Sequence, residues 1–264
     1  GHTGNWSVDA VTTFWNMFKG AGSFNQALGR WEVDNVQTMG YMFRSATSFN
    51  QDLSDWRLNS VTSMIHMFYH SSAFDQDLGW CVDDGVDLEE AFSNTPCAST
   101  SCGVGVKGVS CALPSPAPTV TQAPTHAPSP APTVTAAPTV LDCSGVAHLG
   151  PVMNDTSLRA AVAAWLKEAR RVAVCRYGDI ATWDTHLVTD MSELFCASWC
   201  DHRHAQAALF NDDVGAWDTS AVTAMQNMFD GAAAFNRDVG AWRVDRVAST
   251  RSMFTGALAF DRPL

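Results

Sequence analysis

Residues 31–55 read WEVDNVQTMGYMFRSATSFNQDLSD, and the same unit stands on either side of them. With tryptophan as position 0, Trp6, Trp31 and Trp56 are 25 residues apart, and Trp217 and Trp242 repeat that interval. A constant period of this length marks a stacked repeat array. The columns are regular. Position +5 is Val11, Val36, Val61, Val188, Val222 and Val247; position +12 is Phe18, Phe43, Phe68, Phe92, Phe195, Phe229 and Phe254. Position +11 is Met in five copies, and position +18 is Phe in six. Met dominates position +8, where Phe14, Leu88 and Thr250 are the departures.

Two local patterns lie inside the unit. Positions +5, +8, +11 and +12 fall three or four apart, the spacing of one face of a short helix or 3₁₀ turn. Positions 0 and +2, such as Trp31 and Val33, alternate with polar residues as a half-buried strand does. The predicted fold class is therefore an α/β repeat solenoid, leucine-rich-repeat-like, with one short strand and one helical or 3₁₀ turn per repeat of about 25 residues. No such unit buries its apolar face alone, so it stacks on its neighbours. The Met and Phe columns read as core, because a ladder needs one residue type at one phase. At +19, Asn25, Asn50, Asn211 and Asn236, with Asp75 and Asp261, read as a ladder that satisfies backbone groups.

Along the chain, residues 1–112 hold three full turns, a fourth from Trp80 and a cysteine-bearing cap. Residues 113–140 are Pro, Ala and Thr-rich, a stiff linker of polyproline-II type. It is expected to hold two arrays apart. Residues 141–264 begin with a predicted capping helix around LRAAVAAWLKEARR, preceded by Asn154, Asp155, Thr156 and Ser157 as N-cap candidates. The repeat then restarts at Trp183, with nine extra residues between Phe195 and Phe210. The chain reads as a piece of a longer array, truncated at its C-terminus. No apolar run is long enough to span a membrane.

Net charge is −11, which excludes a generic binder of nucleic acid or anionic membrane. Eight cysteines divide four and four around the linker: Cys81, Cys97, Cys102 and Cys111, then Cys143, Cys175, Cys196 and Cys200. Even counts favour disulfides and an oxidising compartment. Sequence does not choose among the three connectivities of each set; Cys143 with Cys175 and Cys196 with Cys200 is the pairing guessed for the second. CASWCDHRH also has the makings of a zinc site, though a disulfide-pinned loop is the plainer reading. Asn5 and Asn154 begin N-glycosylation sequons.

The unit resembles that of the BspA-type leucine-rich-repeat surface proteins, through Trp31, Val33, Val36, Met39, Met42, Phe43, Ala46, Phe49, Asn50, Gln51, Asp52 and Leu53. The resemblance implies a leucine-rich-repeat-like solenoid, a cell-surface or secreted setting and, in some bacterial members, binding to host or matrix proteins. It implies no catalytic residue and no cofactor.

The expected function is an extracellular, non-enzymatic surface or matrix protein that binds proteins or glycans. Neither nucleic acid nor membrane insertion enters that reading. The alternatives are a structural spacer and, more distantly, a polysaccharide-active enzyme. No nucleophile triad, phosphate loop or dinucleotide fingerprint is present. Position +1 varies from copy to copy, so Glu32, Arg57, Asp184, Asp218 and Arg243 are the candidate partner-binding residues.

Overall fold

The computed structural model describes residues 6–111, 143–145, 150–167, 170–198 and 200–264. The expected linker at 113–140 and the sequon at Asn5 lie outside them.

Each 25-residue unit is one coil, and coils stack in parallel. The pairing column is +7: Thr13 pairs with Thr38, Thr38 with Ser63, Ser63 with Asp87, and Asp190 with Ala224. From there the ladder runs along alternate residues. The amides of Phe14, Asn16, Phe18 and Gly20 donate to the carbonyls of Thr38, Gly40, Met42 and Arg44 one coil away. Between these rungs each coil closes short turns on itself, as Met17 does on Phe14 and Ala21 on Phe18.

Two expectations are corrected. The strand predicted around 0 to +2 forms only in the Trp80 coil, at Cys81–Val82; elsewhere the described residues show none there, and Trp31 and Val33 alternate because both side chains are buried. The helix predicted at +5 to +12 is a run of β-turns. One residue in each copy carries positive φ: Asn16, Tyr41, His66, Glu90, Glu193, Asn227 and Ser252, all at +10. A helix sends its amides to its own carbonyls. The left-handed residue at +10 instead aims them along the stack, where neighbouring coils take them up.

The core is a set of ring ladders. Phenylalanines at +12 stack from coil to coil with centroids 5.3–5.7 Å apart, and those at +18 at 5.8–6.1 Å. Within a coil the two rings sit at 3.9–4.1 Å. The indoles of Trp6, Trp56, Trp80, Trp217 and Trp242 donate to a carbonyl of the preceding coil, as Trp56 does to Leu28 and Trp80 to Leu53, both at 3.0 Å; Trp31 Nε1 is buried without a partner. The +19 ladder runs along the opposite edge. Asn25 Oδ1 accepts the Asn50 amide and Asn50 Oδ1 accepts that of Asp75, each at 2.9 Å.

The order of the stack is not the order of the chain. The two halves are not held apart, because the last coil of the second half docks on the first coil of the first. Thr13 pairs with Ser249, Trp6 Nε1 donates to Val239 O at 3.0 Å, and Phe18 stacks on Phe254 at 5.7 Å. Seven coils follow one another from Trp183 through Trp217, Trp242, Trp6, Trp31 and Trp56 to Trp80.

Both ends are covered. At one, strand β1 (Cys81–Val82) pairs in parallel with β2 (Gly105–Val106), and the bridges Cys81–Cys111 and Cys97–Cys102 fasten the cap. At the other, the predicted helix is two, α1 (Asp155–Lys167) and α2 (Arg170–Tyr177), and Cys143–Cys175 ties α2 to the chain ahead of α1. Asn154 starts α1 by accepting the Ser157 amide at 2.9 Å. One turn of α1 then replaces the missing coil: Asp155 accepts from the Thr189 and Asp190 amides, and Arg159 donates to the Asp190 and Ser192 carbonyls. Such cover protects an open ladder edge from unwanted pairing. Eight bridged cysteines mark a chain that folds in an oxidising environment.

Candidate binding surface

The columns that leave the core fall on two surfaces. The first is the edge formed by position +1. In stack order it reads Asp184, Asp218, Arg243, Ser7, Glu32, Arg57 and Cys81, so all five candidate residues share one row. Glu32 and Arg57 line a shallow cleft of about 230 Å³ together with Arg30, Asp34 and Asp55. Asp184, Asp218 and Arg243 stand farther along the row and do not reach that cleft. Asp184 takes a 2.6 Å hydrogen bond with His186, which lowers its pKa. The Ser220 side chain and amide lower that of Asp218. Arg243 forks onto Asp245 at 2.9 and 3.1 Å. Glu32 and Arg57 thus sit in the concave part of the row, whereas Arg243 is taken up by its neighbour.

The second surface was missed in the sequence. Positions +9, +10 and +13 lie at and beside the left-handed residue, and in the Trp6, Trp31 and Trp56 coils their side chains, Gly40 apart, are half-buried at the surface. In the Trp6, Trp31 and Trp56 coils they build an aromatic ridge. Trp15 lies across the backbone of Gly40, where an added Cβ would come within 2.5 Å of its ring. Trp15 meets Tyr41 at 5.0 Å, Tyr41 stacks on His66 at 5.0 Å, and His66 meets Tyr69 edge-on at 5.0 Å. The Arg44 guanidinium sits 5.5 Å from the Tyr41 ring centre and 5.2 Å from that of Tyr69. His66 is anchored to Glu90 at 3.0 Å. The same columns in the Trp217 and Trp242 coils hold Gln226, Asn227, Asp230, Arg251, Ser252 and Thr255. The available signal was in the variable columns: aromatic residues there are confined to consecutive coils.

A second cleft, about 290 Å³, lies between α1 and the insertion, lined by Arg159, Lys167, Glu193, His202 and His204 among others. The insertion is closed by Cys196–Cys200, so its thiols are not free for a metal. Burial opposes ionisation of Glu193, but hydrogen bonds from the His202 amide and ring prevail and lower its pKa. Burial, then the charges of Lys167 and His202, lowers the pKa of His204. Among the described residues no cluster of His, Cys, Asp and Glu has the makings of a metal site, and no helix is long and apolar enough to cross a membrane. The Asn154 side chain is exposed at the start of α1; Asn5 is outside the described residues.

No curated protein and no solved structure matches the chain. Residues 1–102 and 166–264 both match one family, so that the repeats of the two halves are covered while the linker and most of α1 are not. The chain belongs to the family described as Mycoplasma protein of unknown function, DUF285.

Proposed function

We propose that this is an extracellular, non-enzymatic binding protein of the BspA-like kind: a leucine-rich-repeat-like solenoid whose outward columns engage other proteins or glycans. The observation that carries the reading is the ridge of Trp15, Tyr41, His66, Tyr69 and Arg44. Tryptophan, tyrosine and arginine dominate the binding energy of protein interfaces, because they bring large contact area with few rotors to freeze. Here they are collected on one face by backbone that the core ladders hold rigid. The charged row through Glu32 and Arg57 supports it, as charge sets partner choice and on-rate more than affinity. An oxidising folding environment agrees with a place outside the cell.

The test is a protein and glycan array screen with the intact chain, repeated with the triple variant Trp15→Ala, Tyr41→Ala, Tyr69→Ala and with Glu32→Ala, Arg57→Ala. The ridge variant should lose at least about tenfold in affinity, the scale of a single hot-spot residue. Its near-ultraviolet spectrum outside the missing rings should be preserved. Saturable binding indifferent to both sets would reject these surfaces. No binding to any array member would favour a structural spacer.

A further inference from the structure

The contact between the Trp242 coil and the Trp6 coil is made by residues from opposite ends of the chain, yet it repeats most rungs of an internal step of the stack. The Thr12 amide donates to Ala248 O at 2.9 Å; those of Ser252, Phe254 and Gly256 donate to Trp15, Met17 and Lys19 at 2.8, 2.9 and 2.7 Å. The +19 ladder crosses too, with the Asn25 amide on Asp261 Oδ1 at 3.0 Å. Phe24 stacks on Phe260 at 5.9 Å. The contact is also individual. Position +8 is Met in the coils next to it, but Phe14 and Thr250 face each other across it, one larger and one smaller. Thr250 is fully buried and donates to Thr13 O at 3.4 Å.

Nothing in this contact requires both coils to come from one molecule. The covalent connection between the halves is the 31 residues between Cys111 and Cys143, and those two cysteines belong to the caps at opposite ends of the stack. Closure within one chain therefore gains only the effective concentration that this tether supplies, at most on the order of millimolar. We propose that the occupant of this surface in a second binding mode is another copy of the same chain. The Trp6 coil of each copy docks on the Trp242 coil of the other, giving an exchanged two-fold dimer with two complete seven-coil stacks. At the cell surface, such exchange would link neighbouring copies without any new interface.

Thr13 and Ser249 are ladder partners, so cysteines at these positions are within bridging reach. A chain with both Thr13→Cys and Ser249→Cys, refolded at about 1 µM, should bridge internally, since that is far below the tether's effective concentration. Copies carrying one substitution each, refolded together at about 1 mM, should give a 13–249 bridge between chains, at least tenfold more abundant than at 10 µM. Deleting residues 113–140 leaves three residues between Cys111 and Cys143, a reach of about 14 Å. Six coil steps of about 4.8 Å, roughly 29 Å, already exceed that. The deleted chain should be a dimer or larger species by light scattering at every concentration, with the 13–249 bridge between chains. A deleted chain that stays monomeric, or associates without that bridge, overturns the proposal. Absence of the internal bridge in the dilute double variant overturns it as well.

Discussion

Phe43→Ala is the sharpest probe of the ring ladders when set beside Phe92→Ala. Phe43 is fully buried in a middle coil, with Phe18, Phe49 and Phe68 at 5.6, 3.9 and 5.3 Å. Phe92 occupies the same column in the terminal coil, is 8% exposed, and has one ring partner, Phe68 at 5.7 Å. Removing a buried phenyl costs about 3–5 kcal/mol. The middle position should fall at the top of that range, since three ring pairs worth about 0.5–1.5 kcal/mol each are lost and coils on both sides hinder collapse into the space. The terminal position should cost about 2 kcal/mol, as one side can relax toward the cap. Denaturant unfolding followed by tryptophan fluorescence measures both, and thermal unfolding should show a difference of several degrees. Equal losses at the two positions, or less than about 1 kcal/mol at Phe43, would refute the ladder as the source of stability.

Trp56→Phe keeps a ring but removes the indole bond to the Leu28 carbonyl, which still accepts from the Trp31 amide, and should cost about 0.5–1.5 kcal/mol by the same assay. Burial opposes ionisation of Asp155, but hydrogen bonds from Thr189 and Asp190 and the charge of Arg159 prevail and lower its pKa. Its contribution is then present above the unfolded value of about 3.9 and lost as pH falls through the folded value, so the melting penalty of Asp155→Ala should shrink in acid. Asp230 is the opposite case: burial raises its pKa, against the Ser198 hydrogen bond and Lys19. Its protonated form is the one the fold favours, and stability is lost as pH rises through the folded value. Asp230→Asn should therefore raise the melting temperature at pH 7 and lose that advantage in acid, as a pH series of melts will show.

The core columns were legible because a ladder demands one residue type at one phase, and Val36, Met42, Phe43 and Phe49 carry that demand openly. The pairing column was not. Thr13, Thr38, Ser63, Asp87 and Ala224 share neither hydrophobicity nor β-propensity, since both of their faces are set by neighbouring coils. The turn at +10 was equally hidden: Asn16 is a natural left-handed residue, but Tyr41, His66 and Glu90 are not. Their strain is outweighed by ladder bonds that a single unit does not contain. The candidate row at +1 could be found from its variability; the ridge columns vary as well, but variability alone does not say which way their side chains leave the backbone. Trp15 and Tyr41 look like core residues until the left-handed turn shows which way they leave the backbone. Asp155 and Arg159 read as ordinary helix charges, and their role as stand-ins for a coil appears only when the open edge beneath them is seen.

The order of the coils also dictates an order of assembly. Inside each half, most ladder partners are about one repeat apart, as with the 25 residues between Asn25 and Asn50, so loop closure is cheap and each half can grow coil by coil from any starting point. The step between Thr12 and Ala248 joins residues 236 apart. It raises the contact order of the whole chain through one interface, and it makes no contribution until both halves exist. During synthesis the contacts that residues 242–264 make with the Trp6 coil form only after both halves have been made. Closure of that step is the last event on the way in and the first to reverse on the way out. Hydrogen exchange should find its amides, Thr12, Ser252, Phe254 and Gly256, opening below the global unfolding energy while those of the inner coils hold.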